Sequence, residues 1–284
     1  MYTQEITRRH RAAFIIAIDR SGSMQELVHF GKSVLKKSEA VAYTANTLIS
    51  ELIDRCRRTD GMRNYYDIAV LGYCNDTVET LLDPAGFVSI DRLAARTPDT
   101  SVICSQHDSD DGKEILIAHT IKHWIEAKAE GNTPMYEAML HVRDLVDAWC
   151  ADPHNRESFP PVVINITDGE VSDCDDNELL DICSQIRRIS TDDGDTLLFN
   201  IHISTDSTTP AMIFPSHREL VNAGQYARIL AECSSEMPEA FNDAVRRKKG
   251  AGAEPPFCGM AYNANIVELL SILNIGSRSI TNME

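Results

Sequence analysis

The 284-residue chain lacks several features that would each announce a class of protein. None of its eight cysteines forms a C-x-x-C pair, so the ribbon and finger spacings of zinc sites are absent. Cys56, Cys74, Cys104, Cys150, Cys174, Cys183, Cys233 and Cys258 are instead scattered, several in apolar segments such as 179–186. Free thiols in a reducing compartment are expected, because a large core needs no disulfide staples. No run approaches the roughly 20 apolar residues of a membrane helix. Basic charge is scarce: 27 Lys and Arg stand against 43 Asp and Glu, a formal charge of −16. Such a chain repels nucleic-acid phosphates and anionic lipid headgroups, and attracts divalent cations and basic surfaces. Arg8-Arg9-His10-Arg11 before residues 12–18 imitates the start of a signal peptide, but the apolar run ends in Asp19 with no small-residue cleavage site. The expectation is a cytoplasmic protein that engages neither nucleic acid nor membrane.

Several catalytic and nucleotide-binding signatures are missing too. Gly31-Lys32-Ser33 resembles the end of a phosphate loop, yet Glu26 stands where that pattern needs a glycine. There is no H-E-x-x-H, and His119 and His123 alone lack further metal ligands. Asp108-Ser109-Asp110-Asp111-Gly112 has the look of a Ca²⁺ loop, but His119 occupies the position of its terminal Glu. No G-x-S-x-G elbow exists for a serine hydrolase.

What is present is a regular alternation. Four short, nearly uninterrupted apolar runs stand out at 12–18 (AAFIIAI), 67–73 (DIAVLGY), 161–166 (PVVINI) and 196–203 (TLLFNIHI). They lack the polar alternation of a half-exposed sheet and read as strands buried on both faces. Between them, residues 34–58, 136–150 and 177–189 carry apolar side chains at helical spacing. This order predicts a doubly wound, Rossmann-like α/β fold: a mostly parallel central sheet with helices on both faces. The segment 77–82 follows Asn75-Asp76 closely and predicts a hairpin giving one antiparallel edge strand. Residues 84–130 read as an insertion, with strands favoured over helix at 114–126. Residues 206–284 read as a C-terminal extension packing on the single domain 1–284, with helices at 238–249 and 265–273 and Gly276 as a cap.

Three loops carry the chemistry. The first buried strand ends in Asp19-Arg20-Ser21-Gly22-Ser23, where three oxygen-bearing side chains at i, i+2 and i+4 can point into one concavity. Gly22 permits a tight turn between the two serines. Thr167-Asp168-Gly169-Glu170 lies at the tip of another buried strand, and Gly131-Asn132-Thr133-Pro134-Met135 opens a helix. If 12–18 and 161–166 are central neighbours, Asp19 and Asp168 face one another where strand order reverses, the usual place for ligands in such sheets. Hydroxyls and carboxylates are hard ligands suited to Mg²⁺ or Mn²⁺. Ser21, Ser23 and Thr133 could ligate directly, with Asp19 and Asp168 acting through waters or hydrogen bonds. Neutral direct ligands leave the ion electrophilic and open to a carboxylate from another molecule. Arg20 and Met24 could equally touch such a partner or have a packing or solvated role, and Asp173, Asp175 and Asp176 either lend the rim negative charge or are solvated loop charges.

Together, Asp19-x-Ser21-x-Ser23, Thr133 and Thr167-Asp168-Gly169 resemble the metal-ion-dependent adhesion site (MIDAS) of von Willebrand A (vWA) domains, over residues 10–205. The resemblance implies the vWA fold, Mg²⁺ at the sheet's C-terminal edge, and a protein partner supplying an Asp or Glu. Gly259-Met260-Ala261-Tyr262-Asn263-Ala264 and 270–276 are similar to a bacterial cytoplasmic vWA subgroup associated with tellurite resistance and stress signalling. That likeness implies a scaffold or adaptor beside a serine/threonine kinase or PP2C-type phosphatase. A binding protein, not an enzyme, is the expectation. The alternative is a metal-dependent hydrolase of phosphate esters, because a lone Mg²⁺ can polarise a phosphoryl oxygen.

Overall fold

The apolar runs become the middle of one sheet. In a computed structural model, residues 2–30, 33–108, 114–169, 171–205, 210–250 and 252–264 are described, with backbone alone at 30, 33, 103–108 and 114–119. Strands β1 (Ala12–Asp19), β2 (Tyr66–Cys74), β3 (Thr77–Thr80), β4 (Val162–Thr167), β5 (Leu197–Ile203), β6 (Met212–Ile213) and β7 (Met260–Ala264) lie in the order β6-β7-β5-β4-β1-β2-β3. The five from β7 to β2 run parallel, and every residue of β1, β2, β4 and β5 is buried. Ile16 sits at the centre, in register with Ile164 of β4 and Val70 of β2.

Helices cover both faces, and the strand's period of two sorts its side chains between them. Phe14, Ile16 and Ile18 pack with Leu48, Ile49 and Leu52 of α1 (Lys37–Cys56). Ile15 and Ala17 pack with Met139 and Val142 of α2 (Met135–Ala151) and with Leu179 and Ile182 of α3 (Asp176–Arg188). Full burial of one such aliphatic side chain is worth roughly 1.5–3 kcal/mol. The termini of α3 follow local rules. Asp175 accepts from the backbone N–H of Asn177 and Glu178, Glu178 reaches back to the N–H of Asp175, and Arg187 and Arg188 face the negative pole.

Polar groups inside the sheet are paired in series. The Tyr73 hydroxyl donates to Asn165 Oδ1 (2.8 Å), Asn165 Nδ2 to Asn200 Oδ1 (3.0 Å), and Asn200 Nδ2 to Ser234 Oγ (3.0 Å). The chain ties β2, β4 and β5 to the end of α4 (Gln225–Cys233).

The fold departs from the sequence reading in several places. The helix expected from residue 34 starts at Lys37, because Leu27–Phe30 and Ser33–Lys36 form a small hairpin ahead of it. The sheet has antiparallel strands at both edges, β3 and β6, where one was expected, and Val88–Ser89 also pairs antiparallel with β2. Strand β7 and helix α4 were not anticipated: MAYNA is short and mixed, and pairing with β5 supplies what its own pattern does not. Of the strands expected within 114–126, one forms, Glu114–His123, and it pairs with the upstream strand Asp99–Asp108. Its end is fixed to α1 by Asn46, whose Oδ1 accepts from the N–H of Trp124 and Ile125 and whose Nδ2 donates to the Ile125 carbonyl. The helix expected over 238–249 is a short turn, Glu239–Phe241, followed by α5 (Asn242–Lys249). The helix expected at 265–273 and its Gly276 cap lie outside the described residues, as do Gly31-Lys32, Glu170, residues 109–112 of the acidic loop, and the side chains of Cys104 and His119. Among the described residues no helix is long and apolar enough to cross a membrane, and seven cysteines are free thiols.

Candidate metal centre

The site lies at the C-terminal ends of β1 and β4, where strand order reverses. β1 pairs directly with β4 on one side and with β2 on the other, so the loops after β1 and β4 meet across one crevice. The helix opened by Thr133 is brought there by backbone pairing: Gly22 N–H donates to the Gly131 carbonyl (2.8 Å), and Glu130 N–H to the Arg20 carbonyl (2.8 Å). Gly131 holds φ +70°, a conformation that suits glycine. Ser172 secures the other side, its hydroxyl accepting from Thr133 N–H and its own N–H donating to the Thr133 carbonyl.

Within the crevice the side chains form a connected set. Ser21 Oγ and Ser23 Oγ lie 3.1 Å apart, and Ser23 Oγ donates to Asp168 Oδ1 at 2.6 Å. Asp19 is fully buried; its Oδ1 accepts from Ser21 N–H (2.8 Å) and its Oδ2 from the Thr167 hydroxyl (2.8 Å). Gly169 leaves a small cradle: a methyl group there would lie 3.8 Å from Thr133 Oγ1 and 4.0 Å from Ser23 Oγ. All five expected residues are therefore in or beside one crevice. Burial pushes the Asp19 carboxyl up to about 6, against the bonds from Ser21 and Thr167 that favour its ionised form, with the neighbouring Asp168 adding to the rise.

The donor set fits Mg²⁺. Two ligands at adjacent corners of an octahedron with bonds of about 2.0–2.1 Å stand about 2.9 Å apart, close to the separation of the two serine hydroxyls. Both oxygens of Asp19 are already held by protein donors, which suits a role through water. Among the described residues no cluster of three His, Cys, Asp or Glu side chains forms an alternative metal site. Such an ion would supply Lewis acidity at an open coordination position.

The surroundings contain residues that sequence reasoning missed. Lys37, the first residue of α1, is 3% exposed, and its ammonium bonds Asp168 Oδ2 (2.8 Å) and Glu26 Oε2 (2.7 Å). Burial opposes its charge, but the bonds from Asp168 and Glu26 outweigh that, and its pKa is raised. Nothing in the chain's pattern marks this lysine, which stands at the start of an ordinary amphipathic helix. On the far side, His202 at the end of β5 stacks on Tyr262 (4.4 Å between centroids), and Tyr226 donates to the Gly169 carbonyl. Burial lowers His202 to about 4.

Other residues singled out in the sequence have plainer roles. Arg20 is buried and bonds Glu79 (3.0 Å), and Met24 is fully buried, so both pack. Asp173 accepts from the N–H groups of Tyr136 and Glu137 at the start of α2, and Asp175 caps α3; both acids spend their charge on helix termini. His123 bonds the Ser101 hydroxyl.

No family model matches the chain, and no curated protein matches it. Among solved structures it is similar to a von Willebrand factor type A protein from Catenulispora acidiphila, with 14% identity, TM-score 0.41, and 69% of this chain and 34% of that one covered. The chain thus spans about a third of that protein's length. It is also similar to the SpRpn10 VWA domain (10% identity, TM-score 0.41, 80% and 83% covered). A third is the vWF domain of the pilus tip protein Mfa5 from Porphyromonas gingivalis (14% identity, TM-score 0.32, 59% and 40% covered). These three are described as von Willebrand type A domains or proteins. The mostly parallel sheet flanked by helices is the Rossmann-like arrangement that the alternation of strands and helices predicts.

Proposed function

We propose that the chain is a Mg²⁺-dependent protein-interaction module of the vWA type with a complete MIDAS. Ser21, Ser23 and Thr133 bind the ion directly, and Asp19 and Asp168 act through water. Mn²⁺ substitutes for Mg²⁺. The observation that supports this most is the hydrogen-bonded continuity from Ser21 through Ser23 to Asp168, two separate loops meeting with hard oxygen donors. A solitary helix cap at Ser21 or Ser23 would have no need of Asp168, and neither serine caps the adjoining short helix by its side chain.

Neutral direct ligands leave the ion electrophilic, so the open position takes an Asp or Glu from a protein partner. In this reading the module is a scaffold or adaptor and not an enzyme. The tail segment Gly259-Met260-Ala261-Tyr262-Asn263-Ala264 supports the finer placement, by resemblance, in bacterial tellurite-resistance or stress signalling, with a serine/threonine kinase or PP2C-type phosphatase as partner in the cytoplasm.

The test is thermal unfolding with and without millimolar Mg²⁺ or Mn²⁺. A ligand that binds only the folded state raises the melting temperature. The parent protein is expected to shift upward, and Asp19→Ala and Thr133→Ala to abolish the shift. No shift in the parent sinks the reading. Capture of partners from the native host with and without EDTA then identifies what is bound.

A further inference from the structure

Lys37 stands against the local rules of its helix. It is the first residue of α1, at the positive pole of the helix dipole, where a cation is disfavoured. It is also buried, a costly place for an ammonium unless it is paired. Its partners are Asp168, whose side chain is fully buried, and Glu26, whose side chain is half exposed. Ser23 occupies the other oxygen of Asp168. Otherwise Asp19 and Asp168 would place two buried carboxylates in one crevice with no salt bridge to either among the described residues. Places where a local preference is broken are expected to be functional or strained sites.

We propose that Lys37 is a tethered counter-cation of the metal centre. It keeps the crevice assembled when no divalent ion is bound, and it holds the centre's divalent affinity down. The inference rests on the metal-centre reading above. Its consequence follows from formal charge. Counting the buried acids Asp19 and Asp168 with the Lys37 ammonium, and leaving out the half-exposed Glu26, whose charge water and salt screen, the crevice carries one net negative charge. A divalent ion turns this into one net positive charge, which an incoming carboxylate balances. Without Lys37 the loaded centre would be neutral and would have less electrostatic preference for an anionic partner. Lys37 is thus a positioning and specificity-setting residue that need not touch the ion.

The test compares the parent with K37Q by calorimetric titration of Mn²⁺ near neutral pH, alongside melting temperatures with and without the metal. K37Q is expected to melt lower without metal, because Asp168 loses its cation. It is expected to bind Mn²⁺ roughly tenfold more tightly, the scale of one charge interaction a few ångströms away at the dielectric of water, so its metal-induced rise in melting temperature exceeds the parent's. Acetate should enhance Mn²⁺ binding less in K37Q than in the parent. If the parent binds Mn²⁺ and K37Q binds it equally or more weakly, Lys37 is only structural; the inference fails while the metal centre stands. If neither binds, the metal-centre reading fails and takes the inference with it. Should K37Q not fold, D168N/K37Q, which removes both charges and keeps both amide-sized side chains, is compared with it in the absence of metal. Folding or greater stability of the double variant supports neutralisation of Asp168, and a double variant no better than K37Q overturns it.

Discussion

Ser23 and Asp168, 145 residues apart in the chain, are joined by a 2.6 Å hydrogen bond from hydroxyl to carboxylate. Ser23 is solvent-exposed while the Asp168 side chain is fully buried, so the bond links the mouth of the crevice to its floor. Removing the Ser23 hydroxyl is therefore expected to cost little stability but much metal binding. Ser23→Ala should lower the unfolding free energy by about 1 kcal/mol or less, the usual worth of one partly solvated hydrogen bond, while the Mg²⁺-induced rise in melting temperature disappears. A full-sized metal response in Ser23→Ala would remove this residue from the ligand set. Phosphatase assays with Mn²⁺ belong beside this measurement, since turnover that vanishes in Asp168→Ala would favour the hydrolase alternative.

The loop that presents Thr133 depends on Gly131. Its φ of +70° disfavours any side chain, and a methyl group there would collide with the Asn75 side chain. Gly131→Ala is expected to cost roughly 1–3 kcal/mol and to weaken metal binding, because the Gly131 carbonyl receives the Gly22 N–H and so ties Thr133's loop to the serines. Denaturant unfolding and Mn²⁺ titration of this variant check both halves. A variant destabilised with unchanged metal affinity would separate the loop from the site.

Two buried groups give opposite pH dependences. The Asp19 carboxyl is raised from 3.8 to about 6 by burial, so without metal the fold favours its protonated form. That contribution is complete below 3.8 and is lost as pH rises through about 6, roughly 3 kcal/mol in all. His202 is lowered from 6.5 to about 4 by burial, so the unfolded chain takes up the proton first. Its contribution is complete above 6.5 and is lost as pH falls through about 4, again roughly 3 kcal/mol. The two slopes oppose each other in the metal-free protein. Stability profiles of the parent minus His202→Gln should rise with pH across this window, and those of the parent minus Asp19→Asn should fall. With Mg²⁺ present, which favours ionised Asp19, the falling component should vanish. Matching difference profiles of the same sign would refute the assignment.

Asn165 is the centre of the buried polar series, bonded to Tyr73 on one strand and Asn200 on another. Asn165→Ala removes the amide partner of Asn200 and leaves the buried Tyr73 hydroxyl only its long bond to the Ile166 carbonyl, and is expected to cost roughly 2–4 kcal/mol, read as a lower urea midpoint with an unchanged slope. A loss under 1 kcal/mol would mean that the neighbours find new partners.

Much of this was legible in the chain itself. The runs ending in Asp19 and Thr167 are apolar on both faces because both faces meet helices, and that pattern identifies parallel central strands from composition alone. That Asp19, Ser21, Ser23, Thr133 and Asp168 come together in or beside one crevice was legible for a related reason: loops at the tips of such strands lie near the reversal of strand order. Strand β7 was not legible, because an edge segment such as MAYNA gains its stability from pairing with β5 and not from its own hydrophobicity. Asp173 and Asp175 looked like rim charges because an acid near a site and an acid capping a helix read alike in one dimension.

What the sequence alone determined was thus which oxygen-bearing side chains share the crevice and the kind of sheet that presents them, since both are written in local periodicity and short motifs. Tertiary structure alone decided that Lys37 meets Asp168 across 131 residues. Tertiary structure also decided that Arg20 and Met24 turn inward and that His202 lies buried near the acids. Burial and long-range charge pairing have no period along a chain. They arise only when distant segments exclude water together, and that exclusion gives a buried ammonium beside a carboxylate its weight.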